Sequence, residues 1–179
     1  MQNSGQTIVD RVIGVLKLDV PTYEAIEQDG NATREAAIVV AAVALAGGIG
    51  GLDEGIGGLI AGIVGAFISW LIFSSFAYFF GKQLFGTPTT QANPEEVLRT
   101  VGYAQAPGLL RIFGFIPIIG PILGFVGVIW GLVTVVIAIR QALDFSTGRA
   151  IITGIVAAIA AAIVLGILSL IFNIGAFIF

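Results

Sequence analysis

Histidine and cysteine are absent from the sequence of 179 residues, and charged residues are few. Without these two side chains the chain has no Ser-His triad, no thiol nucleophile, no disulfide and none of the usual zinc sites. The 8 basic and 11 acidic residues form 11% of the chain, whereas soluble domains contain about 25%. The net charge of -3 provides no polybasic surface, so nucleic acid is not an expected partner.

Hydrophobic residues, by contrast, make up 57% of the chain, which also contains 25 glycines. A transmembrane helix needs about 20 predominantly apolar residues. Long uncharged stretches occur at 36–52, 55–81, 112–139 and 150–179. They predict an integral membrane protein with transmembrane helices at roughly 36–52, 56–81, 118–139 and 150–178.

A fifth candidate span, residues 99–116, is less apolar because it contains Arg111 and several other polar or helix-breaking residues. Cytoplasmic loops carry an excess of Lys and Arg, which helps to choose between topologies. If 99–116 crosses the membrane, seven of the eight basic residues lie on one side. If it is a re-entrant loop, Arg140 and Arg149 move to the opposite side. We therefore predict an all-α, polytopic membrane protein with a five-transmembrane-helix bundle, a cytoplasmic N-terminus and a C-terminus on the opposite side.

Residues 1–35, ahead of the first predicted span, have the pattern of short amphipathic helices. Five apolar residues at helical spacing share one face of the first helix: Ile8, Val9, Val12, Ile13 and Leu16. Pro21 suits the first turn of a second helix. Because such helices lie in the membrane interface, we divide the chain into a cytoplasmic amphipathic segment, 1–35, and a membrane domain, 36–179.

A helix-start signal follows the loop between the second and third predicted spans. Asn93 suits the N-cap and Pro94 the first helical position. Glu95 and Glu96 fall in the first turn, where the helix dipole favours negative charge. We expect the third segment to begin there as a cytoplasmic helix and to enter the bilayer near Thr100.

The third predicted span contains a polar, kink-prone stretch with Tyr103, Gln105 and Pro107. Pro107 lacks a backbone donor, and the adjacent Gly108 adds conformational freedom. Broken helices of this kind line substrate sites in some transporters, and a kink that serves only packing is the alternative. With Arg111, these three residues form the candidate intramembrane polar site.

Apart from Arg99 at the first position of the third predicted span, Arg111 is the only charged residue inside a predicted span. An arginine within the membrane is by default a candidate functional residue. Three alternatives are open at this stage. Its side chain reaches the outer headgroups, it pairs with Asp53 or Glu54, or it binds an anionic ligand.

Small residues that recur four positions apart favour close helix packing in lipid. This spacing occurs at Gly47, Gly51 and Gly55, and in three further pairs that we take as the packing glycines: Gly58 and Gly62, Gly120 and Gly124, and Gly127 and Gly131. They serve packing within the bundle or self-association of two copies. Trp70 and Trp130 fall near the middle of their spans, so we expect both to pack inside the bundle.

Several segments together resemble the Yip-one domain family of five-span membrane proteins, and in particular a prokaryotic-like member. They are LKLDVPTYEAIEQD (16–29), LFGTP (84–88), LRTVGYAQAPGLLRIFGFIPIIG (98–120) and AIRQALDFSTGRAI (138–151). The resemblance implies a cytoplasmic N-terminus, five spans and no catalytic activity. It also implies a location in a prokaryotic plasma membrane.

Eukaryotic members of the family reside in Golgi and endoplasmic reticulum membranes, where they bind Rab-type GTPases and one another. That role relies in part on an Asp-Leu-Tyr-Gly-Pro motif, which does not occur in this sequence. A Rab-type GTPase is therefore not an expected partner.

Two functions of different classes fit these features. The first is a non-enzymatic protein that organises membrane or partner proteins, with the lipid bilayer, other membrane proteins or a second copy as partners and with no cofactor. The second is a small transporter or channel with a polar pathway near Arg111. A polar cavity that reaches Arg111 would favour transport, whereas a closed bundle packed by glycines would favour the first function.

Overall fold

The fold was analysed in a computed structural model. It describes residues 6–50, 55–88, 90 and 92–178, with the backbone alone at 55 and at 172–178. Every regular element in these ranges is helical, which confirms the all-α fold. The elements are α1 (Ile8–Leu16), α2 (Val20–Gln28), α3 (Ala32–Gly50), α4 (Gly55–Gln83), α5 (Pro94–Tyr103), a 3-10 helix (Ala106–Phe113), α6 (Ile119–Ala142) and α7 (Thr147–Ile178).

Four of the described helices are long and apolar enough, by length and composition, to cross a membrane. These stretches are Ala32–Gly50, Ile56–Gln83, Ile119–Ala142 and Thr147–Ile171. Many large apolar side chains on them are exposed, including Ile56, Ile60, Ile155 and Ile159. A continuous apolar surface of this kind is unfavourable in water and favourable in lipid. The four long uncharged stretches therefore correspond to the helices of a membrane bundle.

The remaining predicted span, 99–116, is not one continuous helix. α5 ends at Tyr103, and the chain continues as the 3-10 helix from Ala106. Pro107 explains the break, since a proline inside an α-helix cannot donate to the carbonyl four residues earlier and its ring clashes with that carbonyl. The third segment thus consists of two short helices of different type.

This broken segment runs beside α3 in the same direction. A Cβ atom added at Gly102 would lie 2.8 Å from the Cβ of Ala36, near the start of α3. One added at Gly108 would lie 2.6 Å from Cγ1 of Val43, near the middle. Gly50, the last residue of α3, lies against the backbone at the end of the 3-10 helix. The broken segment therefore follows α3 from near its start to its end.

α6 returns along the same segment in the opposite direction. A Cβ atom at Gly120 would lie 2.6 Å from the carbonyl oxygen of Gly114. Further along, the Thr134 hydroxyl donates to the carbonyl of Ala104 at 2.7 Å. From here on, the end of the bundle that holds the start of α3 is called the proximal end, and the end that holds Gly50 and Gly114 is called the distal end.

The N-terminal helices α1 and α2 pack across the proximal end. Val15, Tyr23 and Ile26 are fully buried there. α1 is helical as predicted, and Val9 and Ile13 remain 64% and 43% exposed, so they are free to contact a membrane interface.

Candidate functional site

Arg11 of α1 is the centre of a buried polar network at the proximal end. Only 5% of the residue is exposed. Its Nη2 lies 2.6 Å from Oδ2 of Asp29, and its Nη1 lies 2.8 Å from Oε2 of Glu35. Because an unpaired buried charge is strongly unfavourable, these two carboxylates make the burial of Arg11 possible. The hydrogen bond from Arg11 is also the main cause that holds the pKa of Asp29 below its usual value.

Tyr103, the first residue of the candidate polar site, belongs to this network. Its hydroxyl donates to Oε2 of Glu35 at 2.6 Å, the same oxygen that accepts from Arg11. Glu35 lies in the first turn of α3, and Tyr103 is the last residue of α5. One carboxylate therefore joins α1, the start of α3 and the end of α5.

A second buried arginine fixes α5 to α2. Arg99 is 5% exposed, and its Nε donates to the carbonyl oxygen of Glu27 at 2.7 Å. Its Nη2 donates to the same oxygen. This carbonyl lies in the last turn of α2, where backbone acceptors have no partner within the helix. This role of Arg99 was not predictable from the sequence, because an arginine that caps a separate helix leaves no local pattern.

The side chain of Glu27 lies in a negative environment. It is half-buried, and its pKa is raised to about 7, first by burial and then by the negative charges of Asp144 and Glu96. The Arg99 guanidinium acts in the opposite direction. Within the described parts of the chain, no group of three or more acidic residues is placed to hold a metal ion.

Trp70 connects α4 to the same proximal region. Its Nε1 donates to the carbonyl of Leu98 at 2.9 Å, and the residue is 5% exposed. The expectation that Trp70 packs inside the bundle is confirmed. The same expectation for Trp130 is wrong, since Trp130 is 40% exposed on α6. A position near the middle of a span does not determine which side of the helix faces the other helices.

A large cavity of about 1430 Å³ lies between α3, α4, α6 and α7. It extends from Gly50 and Gly120 at the distal end to Ile151, in the first turns of α7. Its lining is mainly glycine and apolar side chains, and its described polar members are Ser69, Trp70, Gln105 and Arg111. Among the described residues, the glycines therefore do not close the bundle, and the cavity that reaches Arg111 has a mainly apolar lining.

The four residues of the candidate polar site do not form one site in the structure. Tyr103 belongs to the proximal network, whereas Gln105 and Arg111 line the cavity. Pro107 is buried, and its carbonyl oxygen would lie 3.0 Å from a Cβ atom at Gly127. The break in the helix thus separates a residue of the network from the residues of the cavity.

Arg111 is exposed at the distal end of the bundle. The stem of its side chain lies close to Gly47 of α3, where an added Cβ atom would be 3.8 Å from Cδ of Arg111. Among the described residues Arg111 forms no ion pair. The alternative partners Asp53 and Glu54 lie outside the described residues, so the ion pair, one of the three alternatives for Arg111, stays untested.

The glycines predicted to pack helices lie in two kinds of surroundings. Gly120 and Gly127 meet the backbone of the third segment: a Cβ atom at Gly120 would clash with the carbonyl oxygen of Gly114 at 2.6 Å, and one at Gly127 would make a tight contact of 3.0 Å with that of Pro107. At the other described positions, a Cβ atom would meet nothing within 4 Å: Gly62, Gly124 and Gly131. Gly58 lines the cavity, as do Gly62 and Gly124. A role of the open positions in self-association stays a prediction.

The chain matches a known family of membrane proteins over most of its length. A family model described as the Yip1 domain matches residues 14–170. No curated protein and no solved structure shows significant similarity to the chain. The matched range runs from α1 into α7 and contains every residue that lines the cavity. Together with the four apolar helices, this match assigns the chain to the Yip1 domain family of integral membrane proteins.

Proposed function

We propose that the protein is a non-enzymatic membrane protein that organises partner proteins or the membrane surface at its proximal end. The observation that carries this proposal is the attachment of α1 and α2 to the bundle through the buried Arg11 and Arg99. We call the surface formed by α1 and α2 the proximal platform. A buried ion pair brings little net stability but fixes a particular arrangement, which suits a surface that others must recognise.

The proximal platform also presents apolar side chains. Val9 and Ile13 are exposed on α1, on the side away from Arg11 and Val15. Exposed apolar residues on a small polar surface are typical of contacts with a membrane interface or with another protein. Partner proteins and lipid headgroups are therefore the proposed ligands of this surface.

We infer that the proximal end is cytoplasmic and that the chain crosses the membrane five times. Basic residues support this orientation, since cytoplasmic loops are enriched in Lys and Arg. Lys82 and Arg140 lie in the last turns of α4 and α6, and Arg149 lies in the first turn of α7. The course of the third segment along α3 supports a fifth pass. A prokaryotic plasma membrane is the proposed location.

Single cysteines test this topology without background, because the chain contains none. Gln83→Cys and Gly148→Cys report the proximal side, and Ile118→Cys reports the turn before α6. With five passes, a membrane-impermeant maleimide labels only Ile118→Cys in intact cells, and labels the other two after the membrane is opened. Labelling of Gly148→Cys in intact cells, with Ile118→Cys protected, would show a re-entrant third segment instead.

Site-specific photo-crosslinking tests the organising role. A benzoylphenylalanine at Val9 of the proximal platform should give adducts with another protein in native membranes. The same group at Val128, an exposed apolar position on α6, serves as a control that faces lipid. Protein adducts at neither position, or the same adducts at both, would contradict a partner surface on α1.

The transporter remains the second candidate because the cavity reaches Arg111. Its mainly apolar lining makes an ion pathway costly, since a charge within the membrane needs polar partners. Flux of a solute in proteoliposomes that is lost in Arg111→Ala would support transport. Unchanged flux in that variant would exclude a pathway at Arg111.

A further inference from the structure

The cavity between α3, α4, α6 and α7 is large and poor in hydrogen-bonding groups. At about 1430 Å³ it exceeds the roughly 300–1,000 Å³ of pockets that hold small molecules. Among its few polar side chains, Trp70 already donates to the carbonyl of Leu98. Ordered water needs two to four polar partners, so the lining favours an apolar occupant of considerable size.

The cavity is accessible from the surrounding lipid. Several residues that line it are strongly exposed, so the cavity is open at the surface of the bundle: Ile56 on α4, Leu132 on α6, and Ile151 and Ile155 on α7. In a bilayer these side chains contact acyl chains directly. A lipid tail can therefore enter the cavity from the side without passing through water.

Apolar lining alone does not distinguish the cavity from the bilayer, because lipid tails are as apolar as leucine. Retention of one particular lipid requires a polar contact at the depth of the headgroups. Arg111 lies at the distal end of the cavity, exposed, with its stem close to Gly47. A guanidinium binds phosphate through two parallel hydrogen bonds and is well suited to this contact.

Two glycines keep the cavity open. Gly62 on α4 and Gly124 on α6 both line it, and an added Cβ atom at either would meet nothing within 4 Å. Gly65 and Gly131, on the same two helices, are equally unobstructed but do not line the cavity. These four positions allow the cavity to be filled selectively.

We propose that this cavity binds one anionic glycerophospholipid of the distal leaflet, with its acyl chains between the four helices and its phosphate at Arg111. The net positive charge of the guanidinium selects an anionic headgroup over a zwitterionic one. The site is separate from the proximal platform and does not depend on the organising role.

Native mass spectrometry of the full chain in detergent tests the charge selectivity, with phosphatidylglycerol and phosphatidylcholine as the added lipids. One phosphatidylglycerol should bind per chain, in preference to phosphatidylcholine. Arg111→Ala should weaken binding of phosphatidylglycerol by at least about tenfold, as expected for the loss of the charge-assisted hydrogen bonds to the phosphate, and should remove the preference. Arg34→Ala, at an exposed cation near the start of α3, should leave both unchanged. Equal affinity for the two lipids, unaffected by Arg111→Ala, would overturn the proposal.

Filling the cavity tests the position of the acyl chains. Gly62→Leu and Gly124→Leu should lose the bound phosphatidylglycerol, whereas Gly65→Leu and Gly131→Leu should retain it. If a leucine variant does not fold, Gly62→Val and Gly124→Val obstruct the same space with a smaller side chain and the same expected loss. Binding in all four leucine variants, or a dimer that carries no lipid, would show that the lipid does not occupy this cavity.

Discussion

The hydroxyl of Tyr103 donates to the carboxylate of Glu35 at 2.6 Å, across 68 positions of sequence. The same oxygen of Glu35 accepts from Arg11. A residue at the break in the third segment is thereby connected to the helix that covers the proximal end. One carboxylate oxygen therefore holds both the end of α5, where the third segment breaks, and α1.

Removal of the Tyr103 hydroxyl should destabilise the protein. Tyr103→Phe deletes one hydrogen bond to a charged acceptor, which costs about 1.5–3 kcal/mol. Tyr78→Phe is the matched control, because the Tyr78 hydroxyl contacts Lys82 in an exposed position and its loss should change stability by less than about 0.5 kcal/mol. Reversible unfolding in mixed micelles measures both. Equal losses for the two variants would contradict the importance of the network.

Replacement of Arg11 should cost more than replacement of an exposed basic residue. Arg11→Met leaves Asp29 and Glu35 without their cation, and the loss of one partner of a buried pair costs about 3–5 kcal/mol. Since both carboxylates are partly exposed, we expect about 2–3 kcal/mol. Lys17→Met, at an exposed site on the same side of the bundle, should be nearly neutral.

A second substitution shows whether the stability lost in Arg11→Met comes from the carboxylates left without a cation. Glu35→Gln introduced into Arg11→Met should restore part of the lost stability, because it removes one of the two unpaired carboxylates. The free energies of unfolding of the two single variants and the double variant give the coupling. Strictly additive losses would mean that Arg11 acts through packing alone.

The stability of the proximal region should decrease as the pH rises from about 4.5 to about 7. Glu27 has a folded-state pKa of about 7, raised from 4.5 by burial and by Asp144, Glu96 and Glu24 against the influence of Arg99. Between these two values the folded protein keeps a proton that the unfolded chain has lost. The stabilisation is therefore complete below about pH 4.5, and it is lost as the pH rises through about 7. The upper limit of the effect is about 3.5 kcal/mol, since one pKa unit equals about 1.4 kcal/mol.

Glu27→Gln should flatten this pH dependence and stabilise the protein at pH 8. Glu95→Gln, at an exposed position in the first turn of α5, is the control, because its charge is not among those that act on Glu27, and it should leave the slope unchanged. The measurement is the midpoint of thermal unfolding across the pH window. A slope that survives in Glu27→Gln would assign the titration to another group.

Two glycines four residues apart on α6 should respond oppositely to alanine. Gly120→Ala places a methyl group against the carbonyl of Gly114, which the backbone cannot easily avoid, so a loss of about 1–3 kcal/mol is expected. Gly124→Ala enters open space and gains helix propensity, so it should be neutral or stabilising by up to about 1 kcal/mol. Unfolding in mixed micelles compares them. Similar losses for both would indicate that Gly124 packs against a second copy.

Local sequence signals predicted local structure well. Asn93, Pro94 and Glu96 form the expected helix start, in which Asn93 and Glu96 cap each other. The four long apolar helices follow from uncharged runs, which need no knowledge of distant residues. Such features depend on neighbours within a few positions and are therefore visible in a single sequence.

Long-range pairing was not predictable in the same way. Arg11 stands outside the apolar face predicted for α1, and nothing in its neighbourhood points to its partners Asp29 and Glu35, which lie 18 and 24 positions away. The cavity is equally remote from any local pattern, because four helices must come together before it exists. For the same reason, the sequence did not show that Tyr103 belongs to the proximal network while Gln105 and Arg111 line the cavity.

The 3-10 helix reduces the number of residues that the third segment needs to run from the proximal to the distal end of the bundle. A 3-10 helix rises about 2.0 Å per residue and an α-helix about 1.5 Å. The 8 residues of Ala106–Phe113 therefore cover about 16 Å, where an α-helix would cover about 12 Å. A stretched segment reaches the distal end with fewer apolar residues, so the polar first turns of α5 can remain outside the hydrocarbon. A hydropathy scan that assumes α-helical rise therefore underestimates the distance that such a segment covers.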